Sequence, residues 1–466
     1  MEVAAISVQD TRSAGADDAN CYNAIFIVTS RTSLRSLERY FEFDRLGTNW
    51  RTEILAGLTT FITMAYIVFV NPSILHETGM PVAAVMMATC LCAGFGSILM
   101  GALARYPIAL APGMGLNAYF TYTVVKGLGV PWQTALGAVF LSGVAFLLLT
   151  AVGVRQLIIA AIPAELYSAV AVGIGLFIAF VGFRNSGIVV ASPATLVTMG
   201  NLRQPTTALA LAGLLLISAL LAWRVRAAIL IGILAITAAG VLLGLVKWQP
   251  QSLDLSAISA TAFHLDIPAA LHIGALEIVF VFLFVDLFDN IGTLVAVGKK
   301  AGLLDGAGRI PRVNRILFAD ATATVVGSLA GTSTVVSYIE SAAGVVAGGR
   351  TGVTSIATGL LFLVAMFIAP VVGAIPSAAT APALIVVGSM MATHAVEIPW
   401  SEPLSAIPAF LTILAIPLTF SIANGLALGF TAWTILQVAR GKWRSVSWVV
   451  YLLTALFIAR FLYLAG

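Results

Sequence analysis

The chain has 466 residues; AVILMFWYC account for 60% of them and Asp, Glu, Lys and Arg for only 9%. A soluble domain carries about 25% charged residues, so the composition excludes a water-soluble enzyme, a nucleic-acid binder and a disordered scaffold. The apolar stretches are long and continuous, which also excludes a barrel built from alternating segments of about 10 residues. What remains is an all-α polytopic membrane protein. At roughly 20 residues per span, there is room for about 14 helices.

In chain order, residues 1–52 read as a cytosolic N-terminal tail. They are polar, carry several Arg and lack the apolar core and cleavage site of a signal peptide. Residues 1–35 are expected to be unordered. Apolar runs then predict spans near 54–72, 80–103, 113–126, 133–152, 165–182, 206–223 and 226–246. A second set follows near 272–297, 312–330, 338–350, 353–373, 378–396, 405–420 and 422–439. The last apolar piece, 446–464, is either a fifteenth span or a helix in the membrane interface. With the N-terminus inside, 19 of the 24 Lys and Arg fall in inner segments and four (Lys126, Arg184, Arg203, Lys247) in outer ones. That bias follows the positive-inside rule.

Two spans are unusual. Segment 113–126 is short and follows Tyr106-Pro107-Ile108-Ala109-Leu110-Ala111-Pro112-Gly113; segment 338–350 is short and follows Gly331-Thr332-Ser333-Thr334-Val335-Val336. Each predicts an extended stretch leading into a half-helix. Such backbone is tolerated at membrane depth only where protein buries it or a wet cavity faces it. Interrupted spans at matching places in two halves point to a transporter binding site. The halves do match weakly. Gly101-Ala102-Leu103-Ala104 corresponds to Gly327-Ser328-Leu329-Ala330, Ile162-Pro163 to Ile375-Pro376, and Gly175 to Gly388. Equivalent spans lie seven apart, an odd number, so the pattern predicts a seven-plus-seven inverted repeat.

Of the 20 acids, 16 fall in the tail, loops or span ends; Asp286, Asp289, Asp320 and Glu340 fall within predicted spans. An intramembrane carboxylate is costly and is a functional candidate by default. Spacings of three and four place Asp286, Asp289, Asn290 and Thr293 on one helix face. That face suits substrate and proton binding, or alternatively a polar packing seam. Asp286 is expected to lie deeper, to meet substrate and to carry or sense a coupled proton, with Asp289 sharing that proton or holding backbone of a neighbouring half-helix. Glu340 opens the second half-helix, able to accept from substrate N–H groups. Ser337-x-x-Glu340 is also a capping-box pattern, so capping is the competing role. Asn117 occupies the matching part of the first half-helix, and its amide can donate and accept. The glycines of Gly113-Met114-Gly115 would let backbone approach a ligand closely. Asp320 reads as structural, with Thr332, Ser333 and Thr334 as expected donors. Phe61, Thr63, Tyr66, Tyr119 and Phe284 are candidates to line a flat ligand. Three cysteines (Cys21, Cys90, Cys92) and four scattered histidines make no disulfide framework and no metal motif. No Walker A motif, HExxH pair, heme ligand pair or nucleophile elbow is present, which argues against an ATP-driven pump and most intramembrane enzymes, and no cofactor is expected.

Several stretches together resemble a known family. They are Phe43-Asp44-Arg45-Leu46-Gly47-Thr48-Asn49-Trp50, Ala111-Pro112-Gly113-Met114-Gly115-Leu116-Asn117-Ala118-Tyr119-Phe120, Asp286-Leu287-Phe288-Asp289, Tyr338-Ile339-Glu340-Ser341 and Gly348-Gly349-Arg350-Thr351-Gly352. The chain from about 40 to 440 is similar to the AzgA-like purine permeases, a branch of the nucleobase–cation symporters related to the xanthine and uracil permeases. The resemblance implies 14 spans divided between a core domain (53–153 and 271–374) and a gate domain (154–248 and 375–440), with 441–466 as a C-terminal apolar segment. It implies uptake of adenine, guanine or hypoxanthine with protons across the bacterial cell membrane. Binding residues would be Asn117, Asp286 and Glu340, supported by Asp289. A homodimer would pair through the gate domain. The competing functions are an anion exchanger or channel of the same fold, and an intramembrane aspartyl enzyme. Mid-membrane acids repel anions, and no Gly-x-Gly-Asp motif supports the enzyme.

Overall fold

The computed structural model describes residues 35–153, 161–247, 254–304, 310–372 and 375–463. The expected unordered tail, 1–35, lies outside them apart from Arg35. Trp50–Gly466 forms one compact unit, and Met1–Asn49 a separate one with a short helix at Phe43–Leu46.

Each apolar segment read from the sequence contains helix. The first is broken: Trp50–Met64 ends at a turn through Ala65 and Tyr66, and Ile67–Leu75 continues beyond it. Val82–Leu99, Trp132–Val152, Ala164–Asn185, Pro205–Ala222 and Ala228–Leu242 follow in the first half. The second half contributes Ile273–Ala301, Val313–Ala330, Gly352–Val372, Ser377–Met391, Pro403–Thr419 and Ile422–Ala439. Among the described residues, eight helices are long and apolar enough to cross a membrane. Leu148, Leu215, Leu418 and Ile435 stand exposed on helix surfaces. Apolar side chains on the outside as well as inside are the pattern of helices whose solvent is lipid.

The two short segments behave differently from the rest. Strand β1 (Leu110–Pro112) leads into helix Met114–Ala118. An exposed hairpin of β2 (Val189–Ser192) and β3 (Leu196–Met199) comes between two helices and was not expected from the sequence. Strand β4 (Val335–Ser337) leads to helix Ser341–Val346. β1 and β4 pair antiparallel, with Leu110 opposite Ser337 and Pro112 opposite Val335. Gly113 N donates to Thr334 O at 2.9 Å and Tyr338 N to Ala109 O at 3.0 Å, extending the ladder at both ends. Two strands have two free edges, and their backbone groups need partners when buried. One hydroxyl on each side supplies them. Ser97 Oγ accepts from Leu110 N at 2.9 Å and donates to Leu110 O at 3.1 Å. Thr324 Oγ1 accepts from Val335 N at 3.2 Å and donates to Val335 O at 2.9 Å. The helix before each strand thus braces it in the same way.

The matched glycines also meet. An added Cβ at Gly388 would lie 2.3 Å from Gly175 O, and one at Gly175 would lie 2.8 Å from Gly388 O. Helices Ala164–Asn185 and Ser377–Met391 therefore cross at a point where neither tolerates a side chain. The C-terminal apolar piece is helix Trp448–Tyr463, which packs on Ile422–Ala439. Phe457 is buried in it against Phe280, Phe284 and Phe430.

Glu53 has a role the sequence did not suggest. It is fully buried, and its Oε1 accepts from Arg350 N at 2.9 Å while Oε2 accepts from Thr351 N at 3.2 Å and Thr354 Oγ1 at 2.6 Å. The two amides immediately precede the Gly352–Val372 helix and the Thr354 hydroxyl lies in its first turn, so Glu53 fixes the entry of that helix. Gly348, at φ 108°, makes the turn that precedes them. Glu53→Ala is expected to cost about 1–3 kcal/mol by orphaning buried donors. A lowered melting temperature in detergent checks this; an unchanged one contradicts it.

Candidate functional site

The site is built where the first broken helix, the two half-helices and the Ile273–Ala301 helix converge. Ile273–Ala301 packs against both Met114–Ala118 and Ser341–Val346, and Ile67–Leu75 packs against Met114–Ala118.

Glu340 stands at the start of Ser341–Val346, and its side chain makes no capping bond to that helix. Its Oε1 instead accepts from the Tyr66 hydroxyl at 2.6 Å. Tyr66 can reach it because it sits at the turn that breaks the first helix. The capping-box alternative is thereby set aside: Ser337 lies in β4, so the helix starts too late for that pattern. Asp289 is half-buried and lies within electrostatic reach of Glu340 and of the Tyr338 hydroxyl. Tyr338 in turn donates to Pro112 O at 2.5 Å, fixing the end of β1 to the start of the second half-helix.

Asp286 is placed differently. It is fully buried, and its Oδ1 accepts from Asn290 Nδ2 at 2.9 Å. The same Asn290 nitrogen lies 2.8 Å from Asp320 Oδ2, and Asn290 Oδ1 accepts from Ser337 N at 2.9 Å. Asn290 thus joins Asp286, Asp320 and the end of β4. The sequence reading gave Asp286 the substrate and the coupled proton, and Asp289 the neighbouring backbone. In the structure Asn290, beside Asp286, holds that backbone, and Asp289 lies within electrostatic reach of Glu340. Asp320 meets Asn290; the expected Thr332 is engaged elsewhere, accepting from Asn71 Nδ2 at 2.9 Å.

Asn117 is fully buried and donates through Nδ2 to Asn71 Oδ1 at 2.6 Å. Asn71 was not singled out in the sequence, since an Asn in an apolar run followed by Pro72 carries no motif. The neighbouring glycines serve packing. A Cβ on Gly115 would lie 2.4 Å from Ile174 Cγ2, and one on Gly113 would lie 2.9 Å from Val336 Cγ2. Of the expected ring-lining aromatics, Tyr66 binds Glu340, whereas Phe61 lies edge-on to Phe362 and Tyr119 edge-on to Phe282. No group of three or more His, Cys, Asp or Glu suited to a metal is present among the described residues.

One end of this region is tied shut. Glu77 accepts from the Tyr122 hydroxyl at 2.8 Å and from Asn185 Nδ2 at 3.2 Å, and pairs with the Lys126 ammonium. Thr123 Oγ1 donates to Phe420 O at 2.5 Å. Elsewhere a cavity of about 330 Å³ lies among Leu55, Leu58, Thr59, Ile62, Arg226 and Ala347.

Two short helices entered from paired short strands, with Glu340 at the start of one and Asn117 within the other, in a chain of apolar helices are the pattern of a polytopic membrane transporter. The model of the xanthine/uracil permease family, described as the permease family, matches residues 51–428, and the chain belongs to that family. It is 42% identical over 437 residues to the adenine permease AdeP of Escherichia coli (strain K12), covering 94% of this chain and 98% of that one. It is 45% identical over 440 residues to the guanine/hypoxanthine permease PbuG of Bacillus subtilis (strain 168), covering 92% of this chain and all of that one. Among solved structures, the transmembrane domain of the cyanobacterial bicarbonate transporter BicA aligns with a TM-score of 0.63 at 16% identity, covering 82% of this chain and 97% of that one. That likeness shows the fold. The family makes this chain a permease and not an enzyme.

Proposed function

We propose that the protein imports purine nucleobases by proton symport across the cell membrane, with a core domain moving against a gate domain. The observation that carries the reading is Glu340, held by the Tyr66 hydroxyl at 2.6 Å at the start of the second half-helix, with Asp289 within electrostatic reach of it. Two carboxyl groups suit a ligand rich in N–H donors and a bound proton; they repel an anion such as bicarbonate. The near full-length similarity to permeases named for adenine and for guanine and hypoxanthine supports the same class of substrate. In this reading Glu340, held by Tyr66, accepts from the purine. Asp289 exchanges the coupled proton, and Asp286 with Asn290 and Asp320 holds the half-helix in place. Asn117 contacts the ring from the first half-helix.

The core is 53–153 with 271–374 and the gate 154–248 with 375–440. Glu77, Tyr122 and Lys126 of the core meet Asn185 of the gate on the side that the charge bias assigns to the exterior. The cavity beside Arg226 lies on the side assigned to the cytoplasm. In this reading the Glu77 contacts close the exterior side. The test is uptake of labelled guanine, hypoxanthine, adenine and bicarbonate into proteoliposomes. Saturable purine uptake is the expected result; bicarbonate uptake without purine uptake would sink the proposal.

A further inference from the structure

Asn117 reads from sequence as a group that donates or accepts equally well. Four buried contacts remove that ambiguity. Thr89 is fully buried and has one hydroxyl hydrogen, which it donates to Val85 O at 2.6 Å. Toward any other neighbour Thr89 Oγ1 can therefore only accept. Its other neighbour is the Asn71 amide, at 2.7 Å, so Asn71 must present its NH₂ there. The same NH₂ reaches Thr332 Oγ1 at 2.9 Å, which agrees with that orientation. The Asn71 oxygen is left facing Asn117 at 2.6 Å, and only the Asn117 NH₂ can meet it. Amide orientation is assigned from such networks, and here a backbone carbonyl fixes the whole chain. The outcome is that Asn117 Oδ1 is turned away from Asn71. It is fully buried and has no hydrogen-bond partner among the described residues. A buried acceptor left in that condition is costly unless a ligand brings a donor.

We infer that Asn71 is a positioning residue, which with Thr89 locks the Asn117 amide so that its oxygen accepts an N–H from the bound heterocycle. This rests on the purine-transport reading and deepens it: the first half-helix selects a ring edge that carries a hydrogen on nitrogen. Both half-helices then offer acceptors, Asn117 Oδ1 on one and the Glu340 carboxylate on the other. A nucleobase methylated at the nitrogen facing Asn117 is rejected because it brings a methyl group in place of the donor.

The test is a double-mutant cycle on equilibrium binding of labelled hypoxanthine to purified protein, with Asn71→Ala, Asn117→Ala and both together. Each single change is expected to weaken binding about tenfold or more, the scale of one lost hydrogen bond in a dry site. The double variant is expected to bind no worse than Asn117→Ala, because Asn71 acts through that amide. Competition by 1-, 3-, 7- and 9-methylpurines supplies a second readout. Wild type should discriminate strongly among them, and Asn71→Ala should lose the strongest discrimination. Thr89→Val, similar in shape and lacking the acceptor, should show the same loss if Asn71→Ala does not fold; Thr89→Ser should retain wild-type behaviour. Additive losses in the cycle, or unchanged methylpurine discrimination in Thr89→Val, overturn the inference while purine binding by wild type stands. Absence of purine binding by wild type overturns the purine reading and the inference with it.

Discussion

Glu340→Ala is expected to abolish purine uptake while the protein remains folded and inserted. The side chain does not cap its own helix, so its removal leaves no orphaned helix N–H behind. The hydrogen bond that its carboxylate accepts from the Tyr66 hydroxyl at 2.6 Å joins a break in the first helix to the tip of the second half-helix. A hydrogen bond to a charged group contributes about 1.5–3 kcal/mol, or a factor of roughly 10–150 in affinity at 1.4 kcal/mol per decade. Glu340→Gln keeps an acceptor and the Tyr66 contact, so it should lose less binding than alanine. Ligand-binding isotherms on both variants, alongside their elution from size exclusion, check this. Wild-type uptake by Glu340→Ala would return Glu340 to a structural role.

The second large effect concerns coupling. Asp289→Asn is expected to lose accumulation driven by a pH gradient and to keep part of purine exchange. A carboxyl group that crosses apolar surface does so far more cheaply when neutral, so a protonated acid lets the core move and a bare carboxylate resists it. Asp289 lies within electrostatic reach of Glu340, so a proton gained or lost at one acid is felt at the other. Asp286→Asn should act differently. Its carboxylate meets Asn290, which also holds Asp320 and the Ser337 amide. Changing it disturbs the seat of β4, so stability and exchange should fall together with accumulation. Measuring counterflow and gradient-driven uptake for the two variants side by side separates the roles. Loss of accumulation alone in Asp286→Asn, with Asp289→Asn like wild type, would reverse the assignment.

Composition and the run of apolar segments made the helices legible, because a lipid-facing chain must satisfy its backbone within each segment. The two broken spans were legible for a related reason. Proline and a Gly-Thr-Ser-Thr run interrupt helix at places where only buried protein can compensate. Pairing between Leu110–Pro112 and Val335–Ser337 was not legible, since three-residue strands separated by more than two hundred residues carry no local register signal. The β2–β3 hairpin was missed because its Val, Leu and Met residues read as part of a loop between spans. Within the site, spacing and the cost of an intramembrane acid pointed to Asp286, Asp289 and Glu340, and the broken first span pointed to Asn117. That Asn290 would join Asp286, Asp320 and the end of β4 was not legible, because Asp320 and β4 lie on other segments. Asn71 and Glu53 were hidden for the same reason, as their partners lie on distant segments.

The most direct measurement is proton movement on adding purine to proteoliposomes loaded with a pH-sensitive dye and held without an imposed gradient. Wild type is predicted to acidify the lumen when guanine, hypoxanthine or adenine is added outside, and Asp289→Asn to take up purine with no such signal. Purine entry into wild-type vesicles with no change in internal pH would contradict the account.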